Sequence, residues 1–217
     1  MDARALLEAL SCPVIPVVVV DRLDDAVPLA EALLGGGISA LEITLRTPEG
    51  FGAISAMKTA FPEAVIGAGT VCSSDDYRRS VEAGADFIVS PGASEQLFAA
   101  AAHHKIPFVP GAVTGSEVIF ALEHGYSTLK FFPAETSGGA AAIRALSGPF
   151  PQVRFMPTGG ITLENMGRYL ELNSVCAVGG SWLTPSALLA DQRWDDVRGL
   201  AENTLQRVGE INTEKHQ

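Results

Sequence analysis

The chain has 217 residues, 25 acidic against 15 basic side chains for a formal net charge of −10, and 47% hydrophobic but only 7% aromatic content. Such acidity argues against a nucleic-acid or anionic-membrane partner, which would demand a basic surface; an anionic substrate would have to be met by a few placed cations and backbone N–H groups. No apolar run reaches the roughly 18–20 residues that span a bilayer, and Met1-Asp2-Ala3-Arg4 leads into neither a signal-peptide core nor a cleavage site, so a cytoplasmic protein of one domain over 1–217 is expected.

In chain order, residues 1–12 supply a short amphipathic helix (Ala3 to Leu10). Eight apolar, β-branched runs then begin near Pro13, Ala40, Ala64, Phe87, Pro107, Thr128, Val153 and Ser174, at intervals of 20 to 27 residues, one βα unit each time. Helix starts are signalled by Ser73-Ser74-Asp75-Asp76, Ser94-Glu95 and Thr162-Leu163-Glu164. Gly35-Gly36-Gly37, Gly84, Gly125 and Gly148 mark helix ends where a left-handed residue is wanted. A last helix runs from Trp194 to about Val208, and 211–217 reads as a polar, frayed tail. Strict β–α alternation implies a parallel sheet, and eight units with short connections favour a single (β/α)8 TIM barrel with an extra N-terminal helix. A doubly wound open sheet is the alternative fold.

Strand side chains alternate faces with period two. In Ala40-Leu41-Glu42-Ile43-Thr44-Leu45-Arg46 the apolar set Leu41, Ile43 and Leu45 must face helices, which sends Glu42, Thr44 and Arg46 inward. In Thr128-Leu129-Lys130-Phe131-Phe132 the same argument turns Leu129 and Phe131 outward and Thr128, Lys130 and Phe132 inward. A barrel interior is ordinarily filled by Val, Ile and Leu, so two charged inward positions call for a reason other than packing. Of the four lysines, Lys58, Lys105 and Lys215 fall in helix or tail contexts and read as solvated, whereas Lys130 lies inside an apolar strand. Burial disfavours the ammonium form and so favours a free, nucleophilic amine. The bland alternative is a Lys130–Glu42 ion pair that fills space, a poor stabiliser because desolvation offsets the attraction. Arg46, at the strand end where barrel active sites lie, reads as a carboxylate clamp or else as a surface arginine.

Pro157-Thr158-Gly159-Gly160-Ile161 and Val178-Gly179-Gly180-Ser181-Trp182 place glycine pairs at the ends of the seventh and eighth strands. In barrels those loops often hold phosphate through backbone N–H groups; the alternative is that the glycines only permit tight turns. Other features carry less. Gly67-Ala68-Gly69-Thr70-Val71-Cys72 lacks the third glycine of a dinucleotide fingerprint. His103-His104 has no carboxylate or cysteine partner at metal-ligand spacing, so no metal site and no cofactor are expected. Cys12, Cys72 and Cys176 have no paired spacing and read as reduced thiols in or near the core.

Taken together, Leu41-Glu42-Ile43-Thr44-Leu45-Arg46-Thr47, Gly67-Ala68-Gly69-Thr70-Val71, Ser90-Pro91-Gly92, Lys130-Phe131-Phe132-Pro133-Ala134-Glu135 and the two glycine pairs resemble the 2-keto-3-deoxy-6-phosphogluconate (KDPG) aldolases, also active as 4-hydroxy-2-oxoglutarate (KHG) aldolases. The resemblance covers nearly the whole chain. It implies a (β/α)8 barrel, a homotrimer and metal-independent cleavage of a 2-keto acid through a Schiff base. It further implies that Lys130 is the Schiff-base lysine and Glu42 the acid/base carboxylate, that Arg46, Thr70, Pro91 and Phe132 line the pyruvate end, and that Gly159, Gly160, Gly180 and Ser181 cradle phosphate. Val113-Thr114-Gly115-Ser116-Glu117, where many members have a proline before the helix cap, and Cys72, where a larger apolar residue is common, depart from the pattern. A phosphosugar isomerase or epimerase, and a non-catalytic sugar-phosphate-binding barrel, are the competing readings.

Overall fold

A computed structural model describes residues 2–214. Eight parallel strands lie among them: β1 (Val14–Val18), β2 (Ala40–Thr44), β3 (Val65–Gly69), β4 (Phe87–Val89), β5 (Phe108–Val109), β6 (Thr128–Phe131), β7 (Arg154–Pro157) and β8 (Val178–Gly180). The helices are α1 (Ala3–Glu8), α2 (Ala26–Gly35), α3 (Gly50–Ala60), α4 (Ser74–Glu82), α5 (Glu95–His104), α6 (Gly115–Glu123), α7 (Gly139–Ser147), α8 (Gly167–Leu170), α9 (Ser186–Ala190) and α10 (Trp194–Glu214). Six strands pair in the order β5-β4-β3-β2-β1-β8, and β6 pairs with β7. Bridges Gly111–Lys130 and Thr158–Gly179 join the two sheets on either side. The ring is therefore closed, a TIM barrel and not an open doubly wound sheet.

Period-two alternation sorts the apolar residues into two cores. Leu41, Ile43, Leu129 and Phe131 belong to the outer core between strands and helices. Ile15, Ala40, Phe87, Val89, Val109 and Met156 fill the interior, and Ala3, Leu6 and Leu7 of α1 pack against them. The N-terminal helix thus plugs the floor of the barrel, with Asp2 capping it by accepting from the Ala5 N–H at 2.7 Å. The plug covers the N-terminal side of the inner core and leaves the C-terminal ends of the strands free of it.

Several local expectations need correction. Ser73 and Ser94 cap α4 and α5 as the sequence suggests, but Thr162 opens no regular helix. Asn165 ties Thr162 into a turn, and α8 is a single turn starting at Gly167. Gly37, Gly84 and Gly125 have positive φ, whereas Gly148 ends α7 in the right-handed region, at φ −59°. The final helix continues past Val208 to Glu214, because Val208 and Ile211 remain buried on one face; Lys215, His216 and Gln217 of the expected tail lie outside the described residues. Lys58 is not simply solvated: its ammonium donates to the Pro62 and Ala64 carbonyls and pairs with Asp86 at 2.9 Å, a partner from the next βα unit. All three cysteines are free; Cys12 is buried and Cys176 half-buried, but Cys72 is exposed after β3, outside the core.

If α1 closes the floor, truncating its most buried side chain leaves a cavity in the inner core. Leu7→Ala should cost about 2–5 kcal/mol in denaturant unfolding. A loss below about 1 kcal/mol would show that the interior is closed without this helix.

Candidate active site

Lys130 and Glu42 meet inside the barrel. The Lys130 Nζ donates to Glu42 Oε1 at 2.9 Å, with Lys130 only 3% and Glu42 0% exposed. The two residues are 88 positions apart in sequence and reach each other only because β2 and β6 face one interior. The Lys130 backbone is held on one side by its own N–H to the Pro110 carbonyl and by the Ala112 N–H to its carbonyl, both at 2.9 Å. On the other side it registers with Met156 of β7.

Room for the carboxylate comes from the neighbouring strand. A Cβ on Gly69 of β3 would collide with the Glu42 carboxylate, and one on Gly67 would enter the Phe87 ring. The Gly-Ala-Gly run that fails as a nucleotide motif thus supplies two inward-facing vacancies on β3, one for a core ring and one for the acid. Glu42 Oε2 is buried without a hydrogen-bond partner among the described residues. A buried acceptor left unpaired costs of the order of 1–3 kcal/mol.

The other sequence-derived candidates lie at or just after the C-terminal ends of the strands. The Phe132 ring centroid is 5.4 Å from Lys130 Nζ, so the ring covers the amine while itself half-buried. Thr70, directly after β3, takes φ +61°, a strained region for a β-branched residue and of the kind that clusters at functional sites. Pro91 follows β4, and a Cβ at Gly111 would strike the Pro91 carbonyl, so that turn packs against the β5 end beside Lys130. Arg46 sits in the turn after β2, exposed and without a hydrogen-bond or ion-pair partner among the described residues. It lies at the open end of the barrel but is not in contact with the buried pair.

The glycine turns lie after β7 and β8. Gly159 and Gly160 have φ of +101° and +74°, a conformation L side chains rarely adopt. Among the described residues, the N–H groups of Gly160 and Ser181 have no internal acceptor. Neither Pro157–Thr162 nor Val178–Thr184 contains a lysine or arginine, so an anion there would be held by backbone donors. Thr158 is the residue that sequence reasoning passed over. Its hydroxyl is buried and unpartnered among the described residues, and it lies on the Met156 face of the strand that pairs with Lys130. A Cβ on Gly179 would run into that hydroxyl. The signal was present in the alternation Met156, Thr158, but a threonine at a strand end is as often a turn residue. No group of three or more His, Cys, Asp or Glu side chains suited to a metal ion occurs among the described residues.

A closed parallel barrel that keeps a primary amine and a carboxylate in contact beneath its open end is the architecture of an amine-using barrel lyase. The "KDPG and KHG aldolase" family model matches residues 7–200. The chain is 44% identical over 197 residues to the 2-dehydro-3-deoxy-phosphogluconate aldolase of Pseudomonas aeruginosa, covering 91% of this chain and 90% of that protein. It is 46% identical over 194 residues to the KHG/KDPG aldolase of Escherichia coli, covering 89% and 91%. Among solved structures, a KDPG aldolase from Legionella pneumophila, with pyruvate captured at low pH as a covalent carbinolamine intermediate, superposes with a TM-score of 0.91 at 43% identity, over 94% of this chain and 98% of that one. The chain belongs to the KDPG and KHG aldolase family.

If the buried pair is kept for chemistry and not for stability, replacing both partners by apolar residues should restore what removing one destroys. At neutral pH, Lys130→Met alone should lose about 3–5 kcal/mol, while Lys130→Met with Glu42→Leu should return to within about 1 kcal/mol of the wild type or exceed it. Equal losses in the single and double variants would mean that the pair itself supports the fold.

Proposed function

We propose that this enzyme cleaves 2-keto-3-deoxy-6-phosphogluconate to pyruvate and glyceraldehyde 3-phosphate through a Schiff base on Lys130, with Glu42 carrying the protons. The observation that carries this reading is the buried contact of 2.9 Å between the amine and a carboxylate whose other oxygen is unpaired. The same chemistry extends to 4-hydroxy-2-oxoglutarate, giving pyruvate and glyoxylate, in keeping with the name of the Escherichia coli relative.

The neutral amine of Lys130 attacks the C2 carbonyl, giving a carbinolamine; loss of water gives the iminium. The cationic nitrogen is the electron sink, so that breaking C3–C4 leaves its electron pair in an enamine. Glu42 takes the C4 hydroxyl proton, directly or through water, as the aldehyde forms. It then returns a proton to C3, and addition of water frees pyruvate and Lys130. Transfer between Glu42 and Lys130 across 2.9 Å leaves the amine free and the acid protonated, the pairing the first step requires. Arg46 meets the substrate carboxylate from the rim. Phe132 packs on the pyruvate carbons with Thr70 and Pro91 around them, and Gly159, Gly160, Gly180 and Ser181 receive the phosphate.

The enzyme works as a single barrel domain on small-molecule substrates, and a cytoplasmic location is proposed on family likeness. Assembly as a homotrimer is proposed on family likeness.

Pyruvate release from KDPG, followed with a coupled reductase, should persist after exhaustive chelation; activity that is lost and then restored by added metal would favour a metal-dependent mechanism. Glu42→Gln should slow solvent-deuterium exchange into the pyruvate methyl group by at least ~10²-fold, the usual scale for loss of a general acid–base group. Exchange at the wild-type rate in that variant removes Glu42 from the scheme.

A further inference from the structure

The two glycine turns carry no cation of their own, so recognition of a phosphate there depends on where their N–H groups point. A small rotation of a peptide plane then matters more than it would beside a lysine. Each turn is fastened from behind by a side chain that touches neither Lys130 nor Glu42.

After β7 the fastener is Asn165, 9% exposed. The Thr162 N–H donates to Asn165 Oδ1 at 2.8 Å, which fixes which end of the amide is oxygen. Asn165 Nδ2 then donates to the Gly160 carbonyl at 3.0 Å. A trans peptide is planar, with its C=O and N–H on opposite sides. Holding the Gly160 oxygen toward Asn165 therefore turns the Ile161 N–H, which has no acceptor among the described residues, to the other side of the turn. After β8 the fastener is Trp182. A Cβ on Gly180 would lie inside the Trp182 ring, so the indole packs directly on the Gly180 backbone. The indole N–H donates to Thr204 Oγ1 at 3.1 Å, and the Thr204 hydroxyl uses its one proton on the Leu200 carbonyl at 2.8 Å. Thr204 is wholly buried in α10. The last helix thereby sets the plane of the indole, and the indole sets the path of Gly180 and Ser181.

We infer that Asn165 and the Trp182–Thr204 pair are positioning residues for substrate phosphate, orienting the donors of the β7 and β8 turns without taking part in the iminium chemistry. The inference rests on reading those turns as the phosphate cradle. It makes phosphate recognition separable from pyruvate activation within one barrel.

The test compares a phosphorylated with an unphosphorylated aldehyde in condensation with pyruvate, alongside methyl proton exchange of pyruvate alone. Thr204→Val, which removes the acceptor but keeps the shape, and Asn165→Ala should each raise KM for the phosphorylated aldehyde roughly tenfold, the scale of a weakened charge-assisted hydrogen bond. Pyruvate exchange should stay within about twofold, and Thr204→Ser, which keeps the hydroxyl, should match the wild type. If Thr204→Val does not fold, Trp182→Phe breaks the same bond from the donor side and should give the same split. Unchanged KM in the folded variants, or a loss of exchange matching the rise in KM, overturns the inference. A wild-type enzyme with equal KM for both aldehydes would instead overturn the cradle reading on which it stands.

Discussion

The contact between Lys130 and Glu42 sets the terms for the rest of the molecule. At 2.9 Å and removed from solvent, the pair has given up the hydration of both groups, and desolvation of that kind largely offsets the attraction between the charges. Such a pair needs a scaffold that is stable without it. The barrel supplies one by packing aliphatic side chains on both faces of its strands and closing its floor with α1. What the pair places in contact is a primary amine and a carboxylate whose Oε2 has no hydrogen-bond partner among the described residues.

Vacancies matter here as much as contacts. Gly69 leaves the volume that the Glu42 carboxylate occupies, Gly179 makes way for the Thr158 hydroxyl, and Gly111 admits the Pro91 turn beside the lysine strand. Each sits on a strand next to the one whose group it accommodates, or just beyond its end. The interior of the upper barrel is thus a set of side chains interlocked with missing Cβ atoms. A side chain added at any of these glycines would displace the group it now accommodates.

The period-two pattern made the buried pair legible, because Leu41 and Ile43 on one strand and Leu129 and Phe131 on another force their neighbours inward whatever the fold's details. Closure into a barrel followed from the count and spacing of units. Features that depend on contact between distant segments were not legible. Nothing local in Lys58 announces Asp86, 28 residues away. Gly67 and Gly69 look like a failed nucleotide motif until Phe87 and Glu42 are seen in the space they leave. Thr162 carries a sound helix-start signal and exchanges capping hydrogen bonds with Asn165, yet the residues after it form turns and the regular helix begins only at Gly167. Arg46 was placed correctly at the strand's end, where it is exposed and has no hydrogen-bond or ion-pair partner among the described residues.

The account stands on one covalent bond between the Lys130 amine and the keto carbon of pyruvate. Incubation with pyruvate and borohydride, followed by proteolysis and mass spectrometry, tests it directly. A reduced pyruvyl group is expected on the peptide containing Lys130, and on no peptide containing Lys58 or Lys105. An unmodified Lys130 under conditions in which the enzyme still turns over would contradict the account.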